Sequence, residues 1–150
     1  MAVSELESRI QQLEDIENIK RLKVLYCTYC DDDYNPDGIA NLFTADGVWE
    51  GDVLRTGSRS IYKGREAIRT FFSAEQNIVS FAVHNVSNPL VTVRGINAHA
   101  VWNLYQPYSI DGKMLAAYGM YRDDYIKVDG TWFYKHLRIN FNYQISLPLS

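Results

Sequence analysis

Residues 97–145, NAHAVWNLYQPYSIDGKMLAAYGMYRDDYIKVDGTWFYKHLRINFNYQI, decide the fold. Three long apolar or alternating runs, 97–110, 113–127 and 131–145, are separated by Asp111-Gly112 and Asp129-Gly130. A two-residue hairpin turn needs positive φ at its centre, which Asp and Gly tolerate, so the pattern predicts an antiparallel meander. Residues 78–94, which include IVSFAVHNVSNPLVTV, read as one more strand, turning into the meander at Gly95–Asn97.

The N-terminal third has a different period. Between residues 4 and 30, Leu6, Ile10, Leu13, Ile16, Ile19, Leu22, Leu25, Tyr26 and Tyr29 recur at spacings of three and four, which predicts an amphipathic helix. Ser4 with Glu7 has the form of a capping box. Asp15 could cap a second helix, and Lys20, Arg21 and Lys23 are assigned to the solvated face. DDDYNPDG at 31–38 breaks the pattern, with Asp37 as a cap for a short helix, IANLF. ADGVWEGD then reads as a strand, and KGREAIRTFFSAE as a helix with Ile68, Phe71 and Phe72 facing inward. Helices followed by antiparallel strands give an α+β class, with a strongly curved sheet wrapped over the long helix and a conical cavity open at one end.

A chain of 150 residues with 47% apolar and 22% charged residues has the composition of one globular domain, 1–150. The net charge of −3, without a basic stripe, argues against nucleic acid or an anionic membrane as partner. The first twenty residues are polar, and no apolar run approaches the ~18 residues of a membrane span. A cytoplasmic location is the expectation. Cys27 and Cys30 form C-x-x-C, but at a helix C-terminus the dipole opposes a thiolate, so they read as small buried residues. Asp33-x-Asn35-x-Asp37-Gly38 imitates the start of a calcium loop, yet Thr44 stands where the bidentate Glu belongs and Pro36 interrupts the loop. No metal or organic cofactor is expected.

Four polar residues lie in strongly apolar surroundings: Tyr26 and Asp31 at the end of the long helix, His84 within a strand, and Arg138 in the last strand. If they meet in one apolar cavity, they can perform general acid–base chemistry. His136 shares the parity of Arg138; His99 is expected to face outward. Trp49, Phe72, Phe81, Trp102, Tyr118 and Tyr121 are candidates for the wall of a substrate pocket, which would favour a flat hydrophobic ligand.

The helix with Tyr26-x4-Asp31, the segments LFTADGVWE, Lys63-Gly64-Arg65-Glu66-Ala67-Ile68 and HNVSNPLVTV, and the closing GTWFYKHLRI occur here in one order. In this the chain resembles the SnoaL-like polyketide cyclases and dehydratases of the nuclear transport factor 2-like superfamily, an α+β cone. Within it the chain is similar to the branch of bile-acid dehydratase, hexachlorocyclohexane dehydrochlorinase and scytalone dehydratase. The resemblance implies a cofactor-free lyase in which Asp31 pairs with His84 as base, and Arg138 and Tyr26 donate hydrogen bonds near the leaving group. Asp32 and Asp33 adjoin Asp31 and stay open as alternatives; the resemblance implies Asp31, which stands at the branch's five-residue spacing from Tyr26. The alternatives are an isomerase or cyclase on the same cone, and a non-catalytic ligand-binding or assembly domain. The apolar tail FNYQISLPLS implies a homodimer or homotrimer, and the resemblance favours the trimer.

Overall fold

The structure is a computed structural model that describes residues 2–148. Its elements are α1 (Val3–Asp31), α2 (Pro36–Ala40), β1 (Phe43–Val53), β2 (Ser58–Lys63), α3 (Arg65–Glu75), β3 (Val79–Ala82), β4 (Asn85–Arg94), β5 (Asn97–Ile110), β6 (Lys113–Val128) and β7 (Thr131–Leu147). The seven strands form one mixed sheet in the order β2-β1-β7-β6-β5-β3, with β4 also paired to β5. All pairings are antiparallel except β1 with β7. The expected α+β cone is the observed architecture: a curled sheet packs its inner face on α1, α2 and α3.

The meander follows its turns. Asp111, Gly112, Asp129 and Gly130 all have positive φ, as a type I′ hairpin requires. Curvature comes from register shifts at Tyr118/Gly119 and Asp124/Tyr125 in the β6–β7 pair, because a bulge bends and twists its strand. Gly119 is needed at the first of these. A Cβ there would lie 2.5 Å from the Asn140 carbonyl oxygen.

Residues 78–94 form two strands rather than the one expected. Between β3 and β4, Val83 donates its N–H to the Pro107 carbonyl oxygen at 3.0 Å. Pro107 has no N–H to return, so the ladder is interrupted here. His84 sits at this break. The edge strand β2 was not anticipated either, since SRSIYK carries no apolar alternation strong enough to announce it.

α1 is one continuous helix from residue 3 to 31, without a break at Asp15. Asp15 is buried and accepts hydrogen bonds from Trp132 Nε1 at 2.9 Å and Lys127 Nζ at 2.7 Å. It ties the helix to the β6–β7 hairpin instead of capping anything. The capping box is also absent: Ala2 is the N-cap and Ser4 lies inside the helix. Asn35, not Asp37, caps α2, its side-chain oxygen accepting the Gly38 N–H at 2.9 Å. The first half of α1 projects past the sheet, which leaves Leu6, Ile10 and Leu13 exposed despite their helical spacing.

Lys23 departs most from its assignment to the solvated face. It is fully buried, 2.9 Å from the equally buried Asp123, and its ammonium lies 3.1 Å from the centre of the Tyr121 ring. Tyr125 donates to the same Asp123 oxygen at 3.0 Å and accepts from the Trp102 indole at 3.3 Å. Burial pushes the Lys23 amine down and the Asp123 carboxyl up, and each partner's charge opposes that. This chain of polar groups is buried between α1 and strands β5 and β6.

Candidate functional site

His84, from the break between β3 and β4, and Asp31, from the end of α1, come together. Asp31 is the last residue of α1, where the helix dipole disfavours a carboxylate. Two donors offset this: the His84 backbone N–H at 2.8 Å and His84 Nδ1 at 2.7 Å, both on Asp31 Oδ1. The backbone donor is available because His84 lies between β3 and β4, outside the ladders that each forms with β5. An ionised carboxylate only accepts, so Nδ1 carries the proton and the neutral ring keeps its lone pair on Nε2. The His84 side chain is 5% exposed and Asp31 31%. Asp32, the C-cap of α1, and Asp33, in the turn beyond it, make no such contact with His84.

His84 lines an internal cavity of about 70 Å³ together with Tyr26, Tyr34, Trp49, Phe72 and Tyr108. The Tyr26 hydroxyl accepts from the Trp49 indole N–H at 3.0 Å, and burial pushes its pKa well above the ordinary phenol value. The Tyr34 ring stands edge-on to His84 at 5.9 Å and stacks on Phe72 at 5.7 Å. Cys27 and Cys30 are buried free thiols beneath the cavity; burial pushes Cys27 up to about 11, far from a reactive thiolate.

Arg138 does not point into the cavity. It lies between Leu137 and Ile139, which are buried, so strand alternation turns it to the outer face of the sheet. There Nη1 bonds Asp124 at 2.8 Å and Nη2 bonds His136 Nδ1 at 2.8 Å. His136 Nε2 bonds Glu50 at 2.7 Å, and His99 Nδ1 bonds Asp124 at 2.8 Å. Arg138 and these two histidines line an open outer groove of about 690 Å³. A shared metal set of His84, His136 and a carboxylate is not assembled, because the two rings occupy opposite faces. No group of three or more potential metal ligands occurs among the described residues.

Of the six aromatic wall candidates, Trp49 and Phe72 line the cavity. Trp102 and Tyr121 are buried in the core, Trp102 bonded to Tyr125 and Tyr121 packed under Lys23. Phe81 and Tyr118 are exposed, and Tyr118 stacks on the outer face between Tyr105 and Tyr143. Aromatic character alone did not separate the cavity wall from the core and the outer face, which is set by strand register and by depth along the sheet.

Sequence reasoning missed Tyr34, Asp52, Arg55, Glu75 and Gln106, all of which line the cavity. Two of them had a signal. Glu75 continues the apolar spacing of Ile68, Phe71 and Phe72 on one helix face, and Gln106 shares strand parity with Leu104 and Tyr108.

The cavity adjoins a surface groove of about 590 Å³, and Val53, Arg55, Phe71 and Glu75 line both. No helix among the described residues is long and apolar enough to cross a membrane.

The family model for the SnoaL-like domain matches residues 11–138. A Mycobacterium tuberculosis protein of unknown function is 26% identical, with a TM-score of 0.77, over 88% of this chain and 74% of its own. A scytalone dehydratase-like protein from Novosphingobium aromaticivorans is 20% identical, with a TM-score of 0.78, over 92% of this chain and 91% of its own. The hexachlorocyclohexane dehydrochlorinase LinA-type3 of Novosphingobium barchaimii is 16% identical, with a TM-score of 0.82, over 93% and 94%. At such identities the last two likenesses establish a shared fold. Among curated proteins none matches the chain in sequence.

Proposed function

The chain belongs to the SnoaL-like domain family of the nuclear transport factor 2-like superfamily, and on that footing we propose that it is a cofactor-independent lyase. Its reaction is a dehydration or related elimination on a hydrophobic cyclic small molecule. The observation that carries this reading is the 2.7 Å contact of His84 Nδ1 with Asp31, on a ring that lines an aromatic-rich cavity.

Neutral His84 removes a proton from carbon through Nε2. Asp31 fixes the ring orientation and stabilises the imidazolium that forms, the division of labour of an orienting carboxylate. Tyr26 is the proposed hydrogen-bond donor to developing negative charge inside the cavity. Arg138 has no part in this chemistry, because its guanidinium is held on the other face of the sheet by Asp124 and His136.

Size constrains the substrate. Sites for drug-sized ligands hold roughly 300–1,000 Å³. The inner cavity has about 70 Å³, and the adjoining groove about 590 Å³. The reacting carbon enters the inner cavity, and the rest of a ring system lies toward the groove, with the Arg55–Phe71 wall between them displaced. A homodimer or homotrimer is part of the proposal; it is supported by the exposed outer-face stack of Tyr105, Tyr118 and Tyr143.

Nitrobenzisoxazole tests the base without knowledge of the natural substrate, since its ring opens once a proton leaves carbon. Loss of turnover by about 10²–10⁴-fold is expected in both His84→Ala and Asp31→Asn. Activity retained in either removes the dyad. An isomerase using the same base would exchange a carbon-bound hydrogen of its substrate with solvent while expelling nothing.

A further inference from the structure

We propose that Glu75 is the general acid of this site, so that the group expelled is a hydroxyl leaving as water rather than a halide leaving as an anion. This rests on the elimination reading and adds its leaving group.

Position is the first argument. Glu75 lines the same cavity as His84 but reaches it from α3, whereas His84 reaches it from the β3–β4 break. Tyr34 lies between the two walls, edge-on to His84 at 5.9 Å and stacked at 5.7 Å on Phe72, which precedes Glu75 by one helical turn. A substrate in the cavity would therefore meet the base on one wall and the carboxyl on another.

Bonding is the second. The Glu75 side chain is 13% exposed, and its one ion-pair partner, Arg55, stands 3.6 Å away. The carboxylates of Asp31 and Glu50 are satisfied at 2.7 to 3.0 Å by their partners. Glu75 is also the last residue of α3, where the helix dipole opposes negative charge. Burial raises its pKa, and Arg55 counteracts only part of that rise. The other charged or titratable groups on the cavity wall are Asp52, Tyr26, Tyr34, Tyr108 and His84. Among the described residues that line the cavity, Arg55 is the one permanent cation.

Charge is the third. Hydroxide is a poor leaving group that departs readily only when protonated, and a carboxylic acid can supply that proton. A departing halide is best held by a cation free to face it, and Tyr26 is already assigned to the charge that develops on the substrate as the proton leaves carbon. Here Arg138 is on the other face and Arg55 is held beside Glu75.

The step balances within the site. His84 Nε2 takes the proton as the C–H electron pair becomes the new C=C bond. The C–O bond breaks with its electrons on oxygen, and the Glu75 proton completes water. The imidazolium proton then returns to Glu75 through solvent in the emptied cavity.

Two probes share one skeleton: the aldol of benzaldehyde and acetone, which must lose hydroxide, and its acetate ester, whose leaving group needs no proton. Glu75→Gln is expected to slow the hydroxyl compound by about 10²–10³-fold and leave the ester near the wild-type rate. Equal slowing of both, or of neither, overturns the acid assignment. His84→Ala tests the underlying reading separately; if it leaves both rates intact, the elimination site itself is wrong. Carbon NMR of the Glu75 carboxyl, assigned by Glu75→Gln, needs no substrate. Titration above the ordinary glutamate range is expected. Ionisation at the ordinary value overturns the proposal even if neither probe is turned over.

Discussion

Two histidine–carboxylate pairs in this molecule have the same length and opposite meanings. His84 is 2.7 Å from Asp31 inside the cone; His136 is 2.7 Å from Glu50 on its outside. The difference is the second ring nitrogen. In His136, Arg138 donates to Nδ1, so Nε2 must carry the proton and both nitrogens are committed. In His84, Nδ1 holds the proton for Asp31, and the lone pair on Nε2 faces no protein donor among the described residues. A carboxylate partner alone does not make a base. The proposed reaction also needs a free ring nitrogen beside the cavity, and His84 alone of the two has one. His99 completes the contrast: it also pairs with a carboxylate, but its side chain is 48% exposed in an open groove. Volume would have chosen the outer groove, and bonding chooses the inner cavity.

The largest effect is expected from His84→Ala, which should lower elimination of nitrobenzisoxazole by about 10²–10⁴-fold, while His136→Ala leaves it unchanged. Equal losses in the two variants would erase the distinction. A second large effect concerns stability. Lys23→Ala leaves Asp123 charged and dry, and a loss of about 3–5 kcal/mol is expected from chemical denaturation. Replacing the pair together, Lys23→Met with Asp123→Leu, should recover most of that loss.

Smaller effects separate the carboxylates. In Glu50, burial raises the pKa, but hydrogen bonds from Arg59 and His136 outweigh it, so the net shift is downward. Its stabilisation is present above the ordinary glutamate pKa and is lost as pH falls through the lowered one. Glu75 has the opposite sign: its raised pKa means that the wild type loses stability as pH rises through the folded-state value. Glu75→Gln should therefore melt above the wild type at neutral pH and level with it below the ordinary glutamate pKa. Calorimetry across that range checks both signs. Smallest is Arg138→Met, whose half-exposed ion pairs are worth about 0–1 kcal/mol and whose loss should not touch turnover.

The cone was legible because its determinants are local. Asp-Gly turns set the hairpins, and helical spacing set α1 and α3. His84 was legible as a lone polar residue in an apolar run, while Asp31, the first of three aspartates, was singled out and paired with it by the resemblance. What failed depended on register. Arg138 looked inward until the β1–β7 pairing and the bulge at Asp124/Tyr125 fixed its face. Lys23 looked solvated because charge on a helix usually is, and its partner Asp123 lies 100 residues away. The break that presents His84 depends on Pro107 in the facing strand, a cross-strand effect that no single run displays.

Nitrogen NMR of the imidazole rings at neutral pH, in the wild type and in Asp31→Asn, tests the poised base most directly. The expected result is opposite tautomers: His84 protonated on Nδ1 with a bare Nε2, and His136 protonated on Nε2. Asp31→Asn should abolish the preference in His84 and leave His136 as it was. A His84 that carries its proton on Nε2, or one indifferent to Asp31→Asn, would contradict the assignment of His84 as the base.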